Sequence, residues 1–206
     1  VTTTTISQEQ YDLATERVAE AGLSDRVTVL LQDYRDLTGE YDKIVSIEMI
    51  EAVGAQYVPT FFQRCAALLK PHGRMLLQGI TIAEWAFARH LRSVDFIKRY
   101  IFPGSTLISI GSVAAAVQTT DLRFAHVEDI GLHYARTLRE WRRRFLRRLS
   151  DVADLGFDDR FVRMWDFYLA YCEAGFSERY TSNVQLVLAR GTAHEPDPLW
   201  DVQPTS

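Results

Sequence analysis

Tyr41-Asp42-Lys43-Ile44-Val45-Ser46-Ile47, followed by Leu68-Leu69-Lys70-Pro71-His72-Gly73-Arg74-Met75-Leu76-Leu77, decides the fold of this chain. The first stretch is apolar and β-branched, as in a strand buried on both faces. The second reads as a helix end, a turn over Lys70-Pro71-His72-Gly73, and an apolar strand over Arg74–Ile80. Helical sequence from Gln56 to Leu69 joins the two. Upstream, Ser7-Gln8-Glu9-Gln10 predicts a capping box, and Tyr11, Ala14, Val18 and Ala21 keep helical spacing up to a stop at Gly22. Arg26-Val27-Thr28-Val29-Leu30-Leu31 predicts another strand buried on both faces. Strand, helix and strand alternating at this pitch predict βαβ units and a parallel sheet.

Beyond Ile80 the pattern changes. Residues 82–120 read as short helices broken by Phe102-Pro103-Gly104, a cover on the sheet rather than part of it. Leu122–Ile130 predicts a strand, 134–152 and 158–174 predict long helices, and Val184–Ala189 predicts a final strand. Together these predict one domain, incomplete at its start, over 1–191, with its helical cover roughly at 82–120 and 134–176, and a loose tail over 192–206.

Composition narrows the function. With 47% hydrophobic and 24% charged residues over 206 positions, the chain has the proportions of a folded globular domain. Its 23 Lys+Arg against 27 Asp+Glu argue against a general nucleic-acid partner. Cys65 and Cys172 stand far apart with no CxxC and no histidine at metal spacing, so neither a disulfide scaffold nor a metal site is expected. The expected location is the cytoplasm, because no run of about 18 apolar residues spans a membrane and no signal peptide opens the chain.

In open parallel sheets ligands bind beyond the carboxyl ends of the strands. Polar clusters fall there: Ser7–Gln10, Gln32–Asp36, Glu48–Glu51 and Gln78–Thr81. The helix, Pro-x-Gly turn and strand around Lys70–Gly73 resemble the approach to the fifth strand of class I S-adenosylmethionine-dependent methyltransferases. A narrower resemblance lies in Thr5-Ile6-Ser7-Gln8-Glu9-Gln10, Leu31-Gln32-Asp33-Tyr34-Arg35-Asp36, Ser46-Ile47-Glu48-Met49-Ile50-Glu51-Ala52-Val53-Gly54 and Tyr100-Ile101-Phe102-Pro103-Gly104. With Thr137-Leu138-Arg139-Glu140-Trp141 and Phe167-Tyr168-Leu169-Ala170-Tyr171-Cys172, these resemble the cyclopropane-fatty-acyl-phospholipid synthase family, in order, to about residue 191.

The resemblance implies an α/β, Rossmann-like class I methyltransferase sheet. It implies transfer of a methylene group from S-adenosylmethionine to the cis double bond of an unsaturated phospholipid acyl chain, closing a cyclopropane ring. It also implies a dry channel that protects a carbocation from water and a bound bicarbonate as base. Carried over by position, Glu51, Gln78, Ile80 and Tyr134 match the bicarbonate site. Cys172 joins Glu51, Tyr134 and Gln78 as a catalytic candidate. Ser7, Gln10, Tyr34 and Arg35 match the S-adenosylmethionine site, and Tyr100, Ile101 and Phe102 match the acyl channel. A capping box accounts for Ser7 and Gln10 without a ligand, and a buried apolar helix face accounts for Cys172.

Two departures matter. Gln78 stands where many members carry histidine, and Ala52 where histidine is frequent. Glutamine donates a hydrogen bond to an anion but does not titrate near neutral pH. A carboxylate among Glu48 and Glu51, three apart on one face if helical, can then serve as base. Alternatively the product is a methyl or methylene branch. A third reading is a non-catalytic lipid-binding fragment, since no GxGxG turn occurs in the chain. The resemblance begins at what would be a second strand. The expectation is therefore an N-terminally truncated domain that lacks its first strand and Gly-rich loop, binds S-adenosylmethionine poorly and leaves a sheet edge unpaired.

Residues 134–149 carry a separate signal. Leu138, Trp141, Phe145 and Leu149 form an apolar stripe, ringed by Arg136, Arg139, Arg142, Arg143, Arg144, Arg147 and Arg148. Such a helix can rest peripherally on an anionic membrane surface, or pack by its stripe with its basic face solvated.

Overall fold

The computed structural model describes residues 1–191; the tail expected over 192–206 lies outside them. The chain forms two compact units, Val1–Tyr41 and Asp42 onward.

In the first unit, β1 (Thr2–Thr5) pairs in parallel with β2 (Thr28–Leu31), Thr2 opposite Thr28 and Thr5 opposite Leu31, and α1 (Gln8–Glu20) connects them. This is the expected βαβ unit. Only half of the capping box forms. Ser7 Oγ accepts from the Gln10 N–H at 3.3 Å, but the Gln10 side chain turns away and accepts from Thr5 Oγ1 at 2.7 Å. The Thr5 hydroxyl also takes the Ser7 N–H at 3.1 Å, which removes the donor that Gln10 was expected to satisfy. Gly22, at φ +66°, closes the helix with Gly22 N–H on Ala19 O and Leu23 N–H on Val18 O, a Schellman stop. The strand expected to be buried on both faces is shorter and partly solvated, with Leu31 47% exposed. A single helix packs on two short strands in this unit, too little cover for both faces.

The second unit opens with β3 (Tyr41–Ile47), as expected, then α2 (Ile50–Val53) and α3 (Val58–Leu68). β4 (Leu69–Ile82) follows without a separate turn. The expected Lys70–Gly73 turn is a kink inside that strand. His72 adopts φ +67°, and a Cβ on Gly73 would sit 2.9 Å from the Lys70 carbonyl oxygen, so only glycine fits there. Lys70 Nζ ties the kink to Asp42 at 3.0 Å.

α4 (Glu84–Arg92), a π-helical turn (Ile97–Ile101), α5 (Ile110–Val117), β5 (Leu122–Asp129), α6 (Gly131–Leu146), α7 (Leu149–Asp154), α8 (Asp159–Ser177) and β6 (Thr181–Arg190) complete the chain. The sheet order is β3-β4-β6-β5. β6 runs antiparallel to both neighbours, from Arg74 opposite Ala189 to Ile82 opposite Thr181, so the sheet is not wholly parallel. An apolar strand buried between two others looks the same in sequence whichever way it runs.

Phe61 and Phe62 of α3, Met75 and Leu77 of β4, Val113 of α5, and Leu186 and Leu188 of β6 form the core of this unit. α6 packs on α8 through Leu138, Ala135, Leu169 and Phe176. Truncating Leu188, which is wholly buried, to alanine should cost roughly 2–5 kcal/mol in urea unfolding. Val45→Ala, at a side chain 65% exposed, should cost under about 0.5 kcal/mol.

Candidate active site

The site grows from the end of β3. There Glu48 turns the chain at φ +52°, its N–H donating to the Gln78 carbonyl at 2.8 Å. Left-handed backbone is costly for a residue with a Cβ, roughly 1–2 kcal/mol, and needs compensation from its surroundings. Compensation comes from three elements. Alternation along β4 puts Gln78 and Ile80 on one face, and the register sets Gln185 and Asn183 of β6 directly opposite them. Gln78 Nε2 and Asn183 Nδ2 donate to Glu48 Oε1 at 3.1 and 2.7 Å, and Tyr134 of α6 donates its hydroxyl to Glu48 Oε2 at 3.0 Å. Gln185 Nε2 donates to Gln78 Oε1 at 2.8 Å, which fixes the Gln78 amide so that its N–H groups face Glu48.

Glu51 lies beside this cluster in the first turn of α2. Its Oε1 accepts the Ile80 N–H at 2.5 Å, while Oε2 is buried without a hydrogen-bond partner. Burial raises the Glu51 pKa, and the neighbouring Glu48 charge raises it further against the Ile80 hydrogen bond. The two carboxylates do not share a helical face as the spacing allowed: Glu48 precedes α2, and the chain reversal there brings both to one cavity. Gly79 makes room, since a Cβ there would lie 2.8 Å from Ile50 Cγ2.

That cavity holds about 970 Å³. Its polar end carries Glu48, Glu51 and Tyr134, and its apolar wall includes Ile82, Ile101, Phe102, Leu107, Leu138 and Trp141. Ile101 and Phe102 thus line the wall expected of an acyl channel. Tyr100 does not: the π-helical turn aims it outward, where it packs at 5.4 Å on Phe96. Cys172 and Tyr168 also face the cavity, and burial pushes both to about 12, so the Cys172 thiol stays protonated. Burial of the Tyr134 phenol, with Glu48 beside it, raises its pKa as well, so it remains a donor.

Sequence reasoning brought Glu51, Gln78, Ile80 and Tyr134 to the site but missed Asn183, Gln185 and His90. Asn183 and His90 are buried, and His90 Nε2 accepts the Leu107 N–H at 3.1 Å. Gln185 inside the apolar run Val184–Ala189, with Asn183 just before it, was the available signal.

Ser7 and Gln10 sit just past the carboxyl end of β1, and Tyr34 and Arg35 just past that of β2, all in the first unit. Arg35 pairs with Asp33 at 2.7 Å. The basic helix carries fewer free charges than its sequence implied. Arg139 pairs with Glu173, Arg142 with Asp166, Arg143 and Arg144 with Glu140, and Arg148 with Asp151, all within 3.0 Å.

The donors expected to hold bicarbonate are all engaged. Gln78 and Tyr134 bond Glu48, and the Ile80 N–H bonds Glu51. A separate anion does not fit this donor set while Glu48 fills it.

Residues 1–186 match the family model for mycolic acid cyclopropane synthetase. The chain belongs to that family. It is 44% identical to the tuberculostearic acid methyltransferase UfaA1 of Mycobacterium tuberculosis, over 90% of this chain and 44% of that protein. It is 38% identical to the cyclopropane-fatty-acyl-phospholipid synthase of Escherichia coli K12, over 91% of this chain and 46% of that one. The chain thus spans under half the length of these relatives. Among solved structures, mycolic acid cyclopropane synthase CmaA1 complexed with SAH and CTAB superposes with a TM-score of 0.82 at 27% identity, covering 92% of this chain and 70% of that one. Class I methyltransferase architecture follows from that superposition, and enzymes of this family use S-adenosylmethionine.

Two solution measurements test the electrostatics. The unfolded Glu51 carboxyl ionises at lower pH than the folded one. Its contribution to stability is therefore complete below the unfolded pKa and is lost as pH rises through the raised folded value. Glu51→Gln cannot ionise, so its stability relative to wild type should rise between about pH 4 and pH 8 in urea titrations; a constant difference would contradict the shift. Because burial pushes Cys65 and Cys172 to about 12, a disulfide reagent at pH 8 should label the native protein far more slowly than the urea-unfolded chain.

Proposed function

We propose that the protein methylates the cis double bond of an unsaturated, phospholipid-borne acyl chain and leaves a methylene branch. The observation that carries this reading is the Glu48 carboxylate, held by Gln78, Asn183 and Tyr134 at the polar end of an apolar cavity. S-adenosylmethionine supplies an electrophilic methyl group. The side chains at the carboxyl ends of β1 and β2, Ser7, Gln10, Tyr34 and Arg35, are the candidates to hold it: they supply hydroxyl, amide, aromatic and guanidinium groups suited to a ribose and an adenine.

The apolar wall would lay the acyl chain along the cavity and keep water from the substrate cation left when the alkene π pair takes the methyl group, the C–S bond breaks and S-adenosylhomocysteine departs. The carboxylates stabilise that cation and take its proton. If the proton leaves the new methyl group at once, a three-membered ring closes. If a hydride first shifts from the methyl-bearing carbon to the cationic carbon, proton loss from the methyl group gives a methylene branch. No oxidant or reductant is needed in either case.

Support for the branch comes from two sides. Gln78 cannot relay a proton, and the tethered Glu48 carboxylate takes the place of a mobile bicarbonate. The relative at 44% identity is by name a tuberculostearic acid methyltransferase. The cyclopropane product is the other outcome of the assay. No helix among the described residues is long and apolar enough to cross a membrane.

NMR of lipid treated with the full-length gene product and methyl-labelled S-adenosylmethionine decides the product. Olefinic methylene protons are expected, and upfield cyclopropyl protons would overturn the branch reading. Glu48→Gln should lower turnover by about 10²–10⁴-fold. S-adenosylmethionine binding in calorimetry without any turnover would leave only lipid binding.

A further inference from the structure

The outer row of α8 carries Arg163, Phe167 and Tyr171 at four-residue spacing, so they line up along one face of the helix. The π-helical turn lays a second set of rings against that row. Phe96 lies 4.7 Å from Phe167, 6.3 Å from Tyr171 and 5.4 Å from Tyr100. The rings form a ridge rather than a core: Phe167 and Tyr100 are each 51% exposed and Phe102 is 52% exposed. Tyr171 belongs at once to this ridge and to the wall of the cavity, and the half-exposed Phe102, at the end of the same π-helical turn and 6.2 Å from Tyr168, lines that wall too.

Its charge is distinctive. Arg99 stacks over the Tyr100 ring at 5.4 Å, and neither Arg99 nor Arg163 meets an acidic partner among the described residues. Five of the seven arginines over 136–148, by contrast, are neutralised by carboxylates of this chain. Two cations without an acidic partner, Arg99 and Arg163, therefore border the aromatic ridge, while the helix that looks most basic in sequence has paired most of its charge internally.

We propose that the ridge formed by Tyr100, Phe102, Phe167 and Tyr171, with Arg99 and Arg163, is the surface by which this protein docks on an anionic lipid bilayer. Aromatic rings that are apolar in body and polar at the edge settle at the headgroup level, and unpaired arginines are drawn to an anionic leaflet. A ridge seated there sets the cavity mouth against the acyl layer, so a chain passes from bilayer to cavity without crossing water. The proposal rests on the reading that the cavity accepts an acyl chain, but its test does not use turnover.

The test is co-sedimentation of the chain with vesicles of phosphatidylcholine alone and of equal parts phosphatidylcholine and phosphatidylglycerol. Binding to the anionic vesicles is expected, weakening as salt is raised. Joint replacement Tyr100→Ala and Phe167→Ala should weaken it by at least about ten-fold. Arg99→Glu with Arg163→Glu should weaken it by about twenty-five-fold or more, about five-fold for each lost cation. Arg136→Glu with Arg147→Glu, at the two α6–α7 arginines without an acidic partner, should leave it unchanged. A Phe167→Trp reporter should shift its emission to the blue on adding anionic vesicles and confirms that a folded protein presents this ridge. No vesicle binding, or binding abolished only by the Arg136 and Arg147 pair, overturns the proposal. So does a ridge that proves to hold two copies together, seen as a dimer that Phe167→Ala dissociates. Binding with no methyl transfer would overturn the function above and leave the docking surface standing.

Discussion

Everything at the site depends on satisfying a half-buried carboxyl group with hydrogen bonds from the protein in place of water. An ion in a low-dielectric environment survives only when hydrogen bonds replace its hydration. Glu48 meets that condition by drawing one donor from each of β4, β6 and α6. The same need explains the left-handed backbone at Glu48, which is the turn that points its side chain inward. It explains the second layer too, where Gln185 settles which end of the Gln78 amide faces the ion. Glu51 shows the other side of that economy: with one oxygen satisfied and one bare, burial raises its pKa.

A pair of carboxylates with unequal hydration can divide labour. The member rich in hydrogen bonds is fixed in place, and the poorly solvated one has its pKa raised by burial. Both face a cavity whose wall carries the apolar side chains of Ile82, Ile101, Phe102 and Leu107 and also the polar groups of His90, Asp95, Lys98 and Glu178. The elevated phenol of Tyr134 keeps its proton and so keeps donating. These roles need no histidine, which accords with glutamine at position 78.

Much of the fold was legible because its elements are local. β3 spans Tyr41–Ile47 as its β-branched pattern indicates, and the α1 stop at Gly22 follows from a single glycine. The Lys70–Gly73 segment was misread as a turn because Pro71 and Gly73 interrupt a strand in the same way that they end one. The direction of β6 left no trace in sequence, since Val184 and Leu186–Ala189 are buried whichever way the strand runs. At the site, Glu51, Gln78, Ile80 and Tyr134 were found by resemblance. Asn183 and Gln185 were not, for they meet their partners 135 and 107 residues away across a register that only the folded sheet defines.

That distance has a consequence for how the protein comes into being. The strand that supplies Asn183 and Gln185 is the last to leave the ribosome among the described elements, and it inserts between β4 and β5 rather than adding to an edge. Until it arrives, β4 and β5 have no common neighbour, and Glu48 lacks its shortest hydrogen bond. A nascent or prematurely terminated chain therefore holds an ungrouped set of polar side chains instead of the hydrogen-bonded cluster around Glu48. Completion of synthesis and assembly of the reactive cluster become a single event, late and non-local, in a chain whose first helices form early.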